Sequence, residues 1–140
     1  AGVGVCTLDP CVQMVTAIHF PALPPGTGWA YKRLAQRRAL ILPMLNVAVV
    51  APLEAGRFGD VRIAVGPVAS TPLRAAAAEA ALRGQPIAAA AMAEAARLAE
   101  EASHPRDSAV RGSGEYRKAM VEVLVRRGLE EAVERSSWKA

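Results

Sequence analysis

The chain has 140 residues, 52% of them hydrophobic and 4% aromatic, and its 17 basic and 13 acidic residues leave a net charge of +4. That length and apolar fraction suit one domain with a full core, and the interspersed carboxylates argue against a surface built for polyanions. Cys6 and Cys11 are the only cysteines, with no second pair or histidine cluster, which excludes a four-ligand structural zinc site and leaves two reduced thiols as the expectation.

No run of about 18 apolar residues is present to span a bilayer, and no charged segment followed by an apolar one opens the chain. A cytoplasmic protein that is not integral to a membrane is expected. Alanine blocks at 75–78 and 88–91 predict helices that approach one another closely around an alanine-lined core.

Taken in order, residues 14–20 (MVTAIHF) read as a strand, closed by Pro21 and a proline- and glycine-rich loop at 23–28. A second extended piece is expected at 29–36. Residues 42–50 are apolar and β-branched around a single Asn46, and a turn at 56–59 leads into a strand at 60–65. There Val61, Ile63 and Val65 share one face, and Arg62 and Ala64 the other. The pattern predicts an antiparallel meander with one covered face.

After Gly66 the apolar period changes from two to about 3.6. Thr71 is expected to cap a first helix, with Pro72 at its first position and Gly84 just past its end. Gln85-Pro86 opens a second helix with a stripe of Ile87, Ala91, Ala95, Leu98 and Ala102, ended by residues 103–105. Ser113 is the expected cap of a third, with apolar positions Tyr116, Met120, Val123, Leu124 and Val133 and with i,i+4 pairs Glu122–Arg126 and Glu131–Arg135. Strands first and helices after predict an α+β fold: an antiparallel sheet of three to four strands, covered on one face by about three helices.

The stretch 29–38 (WAYKRLAQRR) is the one place where aromatics and cations interleave. By residue chemistry alone it suits a phosphate, a flavin, a nucleic acid or no ligand at all, as a solvated basic edge strand. His19 and His104 stand alone, with no nucleophile or ligand at a useful spacing. Gly2-x-Gly4 and Gly26-x-Gly28 lack the third glycine and the helix of a dinucleotide fingerprint.

Two stretches carry a family pattern: 66–74 (GPVASTPLR), continued by Glu79, Leu82 and Gly84, and 111–118 (RGSGEYRK). Together they resemble the C-terminal domain of the FAD-binding medium subunit of molybdenum hydroxylases, the group of aerobic carbon monoxide dehydrogenase and the xanthine dehydrogenases. The resemblance covers about 14–133. It implies a division into 1–13, a remnant of the link from a missing FAD-binding domain; 14–135, the flavoprotein C-terminal domain; and 136–140, a frayed tail.

The resemblance also implies the site. Residues 29–38 correspond to the segment that reaches back to the isoalloxazine of FAD, a cofactor held mostly by the missing upstream domain. Lys32 is the expected cation at the flavin N1/C2 edge, or Arg33 if the register slips by one, where it would favour the anionic reduced form. Tyr31 is expected to pack in the core or to cover a ring face, and Val15 to meet the flavin as the chain crosses between domains, although residues 11–15 depart from the family segment. Arg74 and Glu79 are expected as fold or subunit-interface residues, Arg111 as a donor to loop carbonyls and Tyr116 as packed against the sheet. At Ala109 the family commonly carries an aspartate.

The implied setting is a complex. A large subunit with a molybdenum cofactor oxidises a small substrate, a small subunit passes electrons through 2Fe–2S clusters, and FAD delivers them to an external acceptor. The chain is then part of a flavin-dependent oxidoreductase, inert when isolated. The rival readings are an interaction module without flavin dependence and a weak nucleic-acid binder using Lys32, Arg33, Arg37 and Arg38, the latter disfavoured by the few aromatics.

Overall fold

The computed structural model describes residues 6–137. Strand β1 (Thr27–Leu34), β2 (Leu45–Glu54), β3 (Arg57–Phe58), β4 (Arg62–Gly66) and β5 (Leu73–Arg74) come first, followed by helices α1 (Ala76–Leu82), α2 (Ala89–Glu101) and α3 (Gly114–Ser137). The main sheet runs β1-β2-β4-β5 with every pairing antiparallel, and β3 adds a short hairpin to β2. The hairpin turn is Ala55-Gly56, at φ 48° and 75°, the left-handed geometry that a two-residue turn between twisted strands requires.

Alternation decides which face is covered. Ala30 on β1, Leu45, Val47, Val49 and Ala51 on β2, and Ile63 and Val65 on β4 are buried. They meet Met92, Ala95, Ala96 and Ala99 of α2 and Val121, Leu124, Val125, Leu129 and Ala132 of α3 in one hydrophobic core. The α+β fold with helices on a single face is the one expected, and Val61, Ile63 and Val65 share the buried face as their spacing predicts.

Helix α3 lies tight against the sheet because glycines make room for it. A Cβ on Gly28 would sit 1.7 Å from the Ala132 carbonyl oxygen, and one on Gly128 would sit 3.0 Å from Val49 Cγ2. Small residues thus set the distance between the two layers.

Several expected elements differ. Residues 14–20 form no strand: Met14, Ile18 and Phe20 are 82%, 81% and 83% exposed, and no described strand pairs with them. Their alternation is strand-like, but prolines 21, 24 and 25 separate them from β1, and they do not pair with its free edge. Thr71 does not cap the first helix. Leu73 and Arg74 instead pair with β4, the Ala75 amide donates to the Ile63 carbonyl at 3.0 Å, and the helix starts only at Ala76. Gly84, at φ 73°, does follow the end of α1.

Helix α2 buries Met92, Ala95, Ala96 and Ala99 and leaves Ala102 exposed, a stripe rotated from the expected one. Ser113 caps α3 as expected, its Oγ accepting from the Tyr116 amide at 3.2 Å. Tyr116 itself is 47% exposed and does not pack against the sheet. Glu131 pairs with Arg135 at 2.5 Å as expected, whereas Arg126 takes Glu130 in place of Glu122. Of the tail 136–140, Ser136 and Ser137 continue α3, and 138–140 lie outside the described residues.

Candidate functional site

The face of the sheet opposite the helices is open. Trp29, Tyr31 and Arg33 project from it on β1, Asn46, Ala48 and Val50 on β2, and Arg62 and Ala64 on β4, none of them buried. Trp29 and Tyr31 are 49% and 55% exposed, so the expectation that Tyr31 packs in the core is not met. Strand parity explains this: Tyr31 is one residue from buried Ala30 and therefore points to the other side.

Two polar atoms on this face are orphans. Thr27 Oγ1 and Asn46 Oδ1 are buried yet have no hydrogen-bond partner. Native buried polar atoms almost always have one, so these two oxygens are exceptions on this face. Thr27 also lines a largely apolar cavity of about 420 Å³ with Leu23, Pro24, Val50, Pro52 and Arg62, where the segment before β1 turns over the open face.

The four residues expected at the cofactor divide among three places. Tyr31 and Arg33 share the open face. Arg33 donates to the Ile41 carbonyl at 2.6 Å and, at 3.4 Å, to those of Arg37 and Arg38, and so folds the basic loop after β1 around its own guanidinium. Val15 lies in the exposed segment before β1, at 57% exposure.

Lys32 points to the helical side, where its amine forms a short ion pair with Glu131 of α3. That hydrogen bond, with the charges of Lys32 and Arg135 behind it, holds the Glu131 carboxyl below its ordinary 4.5. Arg135 continues the network, its guanidinium carbon 4.1 Å from the Trp29 ring centroid. The strand therefore presents an aromatic and cationic surface outward while its lysine ties it to α3.

The two sequence signatures have structural work. Glu79 is buried and accepts Arg74 in a two-point contact at 2.9 and 2.7 Å, and its Oε1 also takes the Ile63 amide at 2.8 Å. Arg74 and Glu79 thus lock β5 and α1 to β4, the fold role expected of them. In the second signature the donor to loop carbonyls is Arg117, which reaches those of Pro67, at 3.0 Å, and Arg106. Arg111 is the donor expected from the sequence, but Arg117, six residues along on the first turn of α3, is the side chain that enters the loop cluster. The orphaned Thr27 and Asn46 were missed in the sequence, where a threonine and an asparagine at strand positions give no sign of lost partners.

Comparison with known proteins agrees with this architecture. The family model described as the CO dehydrogenase flavoprotein C-terminal domain matches residues 29–132. The chain is 35% identical over 124 residues to the carbon monoxide dehydrogenase medium chain of Afipia carboxidovorans, covering 89% of this chain and 42% of that one. It is 38% identical over 120 residues to the nicotine 6-hydroxylase medium subunit of Paenarthrobacter nicotinovorans, covering 86% and 41%. Among solved structures, carbon monoxide dehydrogenase from Hydrogenophaga pseudoflava superposes with a TM-score of 0.78 at 38% identity, over 82% of this chain and 39% of that one. The chain thus spans about two fifths of the length of these relatives. With 104 consecutive residues of sheet and helices inside the family model, the chain belongs to the CO dehydrogenase flavoprotein C-terminal domain family.

Proposed function

We propose that this domain closes over FAD with the open face of its sheet, as part of the flavin subunit of a molybdenum-containing hydroxylase. The observation that carries the reading is that face itself: aromatic Trp29 and Tyr31 and cationic Arg33 and Arg62 stand on a side that no helix packs against, with Arg135 of α3 reaching one face of the Trp29 ring. These groups fit the ring end of FAD. An aromatic face can stack on the isoalloxazine, and a guanidinium can meet its carbonyl oxygens. When bound, FAD supplies two-electron redox chemistry.

The residues of this chain bind and position. Tyr31 covers the ring, Arg33 holds the loop after β1 against it, and Val15 approaches in the segment that leads to the rest of a longer protein. Residues 1–13 are the link, and the exposed apolar side chains of 14–20 pack on that missing part. Lys32, on the opposite side of β1, acts on the flavin without touching it, by balancing the Glu131 carboxylate beneath the strand. The pyrophosphate is met by the upstream domain, a division supported by relatives more than twice as long as this chain.

The partners follow from the same reading: a large subunit with the molybdenum cofactor and a small one with 2Fe–2S clusters, which feed electrons to FAD for an external acceptor in the cytoplasm. The relatives' names, carbon monoxide dehydrogenase and nicotine 6-hydroxylase, support such a setting. The chain alone should not reduce dyes with any hydroxylase substrate.

The test is an FAD titration by flavin fluorescence quenching, on this chain alone and on the longer flavoprotein that contains it, with Lys32→Ala alongside. No binding alone, binding in the longer protein and a lowered flavin potential in the variant are expected. Absence of binding in both would favour a docking module without flavin dependence.

A further inference from the structure

Away from the open face, the loop after β4 and the loop joining α2 to α3 enclose a cavity of about 310 Å³. Its lining includes Arg106, Arg111, Arg117, His104, Asp107 and Ser108. It shares no residue with the open face and is independent of the flavin reading.

The charge in it is unbalanced. Three arginines and one carboxylate line it, and among the described residues no ion pair is formed by Arg106, Arg111 or Arg117. Asp107 is already engaged, its Oδ1 accepting the Gly114 amide at 2.7 Å at the start of α3. Arg117 is only 4% exposed, a rare degree of burial for an arginine without a carboxylate partner. Its Nε is an orphan, and so is that of Arg111. Burial first, then the like charge of Arg111, pulls the Arg117 pKa down, against the opposing charge of Asp107.

A buried arginine that neither pairs with a carboxylate nor satisfies its Nε, beside a half-buried one whose Nε is also unsatisfied, is a costly arrangement in the absence of an anion. Arginine forks match the oxygens of phosphate and carboxylate groups. The cavity is larger than either group requires.

We propose that this cavity binds a small oxyanion of the phosphate class, held by Arg111 and Arg117. The Arg117 hydrogen bonds to the Pro67 and Arg106 carbonyls fix that guanidinium in advance of binding. A bound dianion would then tie the start of α3 to the loop after β4.

The experiment titrates inorganic phosphate into the full chain at constant ionic strength, with chloride as the balancing salt and succinate as a carboxylate arm. It follows the arginine side-chain Nε–H resonances and the melting temperature. Expected are saturable shifts of the Arg111 and Arg117 resonances, a melting temperature that rises with phosphate, and binding about 10-fold or more weaker in Arg111→Gln, the size of one charged hydrogen bond. Arg111→Lys should retain part of the affinity, which guards against a variant that simply folds poorly. Succinate binding more tightly than phosphate would overturn the phosphate assignment in favour of a carboxylate site. Phosphate acting no differently from chloride, or equal binding by Arg111→Gln, would overturn the site altogether.

Discussion

The two faces of the sheet are built from the same strands and obey opposite rules. On the helical side the buried positions are mostly small or aliphatic, with Phe58 the one aromatic among them, glycines at 28 and 128 let α3 approach, and Lys32 is tied to Glu131. On the other side stand two aromatics, two arginines and two polar oxygens without partners. The sheet is thus covered on one face and left open on the other. Substitutions on the first face should change stability, and those on the second should change what the domain closes over.

The largest effect is expected at the tightest contact. Gly28→Val places side-chain carbon where the Ala132 carbonyl stands and should cost about 3 kcal/mol or more, leaving little folded protein in urea denaturation. An unchanged midpoint would show that α3 does not lie against β1 as described. Next comes Glu79→Ala, which strips the Ile63 amide of its acceptor in a buried setting. A loss of about 2 kcal/mol in the same assay is expected.

A smaller effect, and one with a pH signature, belongs to Glu131. Its carboxyl is held below 4.5 in the folded state, so the unfolded chain binds the proton more readily. The stabilisation is therefore complete above about pH 4.5, the ordinary value, and fades as pH falls through the folded-state pKa. Thermal melts should drop more steeply over that acid range in the wild type than in Glu131→Gln. Parallel curves would show that Lys32 does not rest on Glu131 in solution. The smallest stability effect is expected on the open face, where Tyr31→Ala should stay within about 0.5 kcal/mol of the parent chain.

Much of this was legible in the sequence. Alternation at Val61, Ile63 and Val65 identified the buried side of β4, Gly84 marked the end of α1, and Ser113 marked the start of α3. The misread places share one cause: long-range pairing decided them. Thr71-Pro72 looks like a helix start, yet Leu73 and Arg74 are drawn onto β4 by backbone hydrogen bonds and by the buried Glu79. Residues 14–20 have a strand's alternation but pair with no described strand, and prolines 21, 24 and 25 stand between them and β1. At the site, position 31 was legible as interesting. Whether its side chain went inward or outward depended on register with β2, which no single strand reveals. The ion pair between Lys32 and Glu131 spans 99 residues and has no local signal at all.

The chain's two tyrosines allow the central claim to be tested with matched chemistry, because Tyr31 and Tyr116 are 55% and 47% exposed but stand on the open face and on α3 respectively. The FAD dissociation constant would be measured for Tyr31→Ala and Tyr116→Ala in the longer flavoprotein. If the open face is the flavin lid, Tyr31→Ala weakens FAD about 10-fold, the order of one lost stacking contact, and Tyr116→Ala leaves it within about twofold. Equal affinities in the two variants, or a loss confined to Tyr116→Ala, would contradict the account.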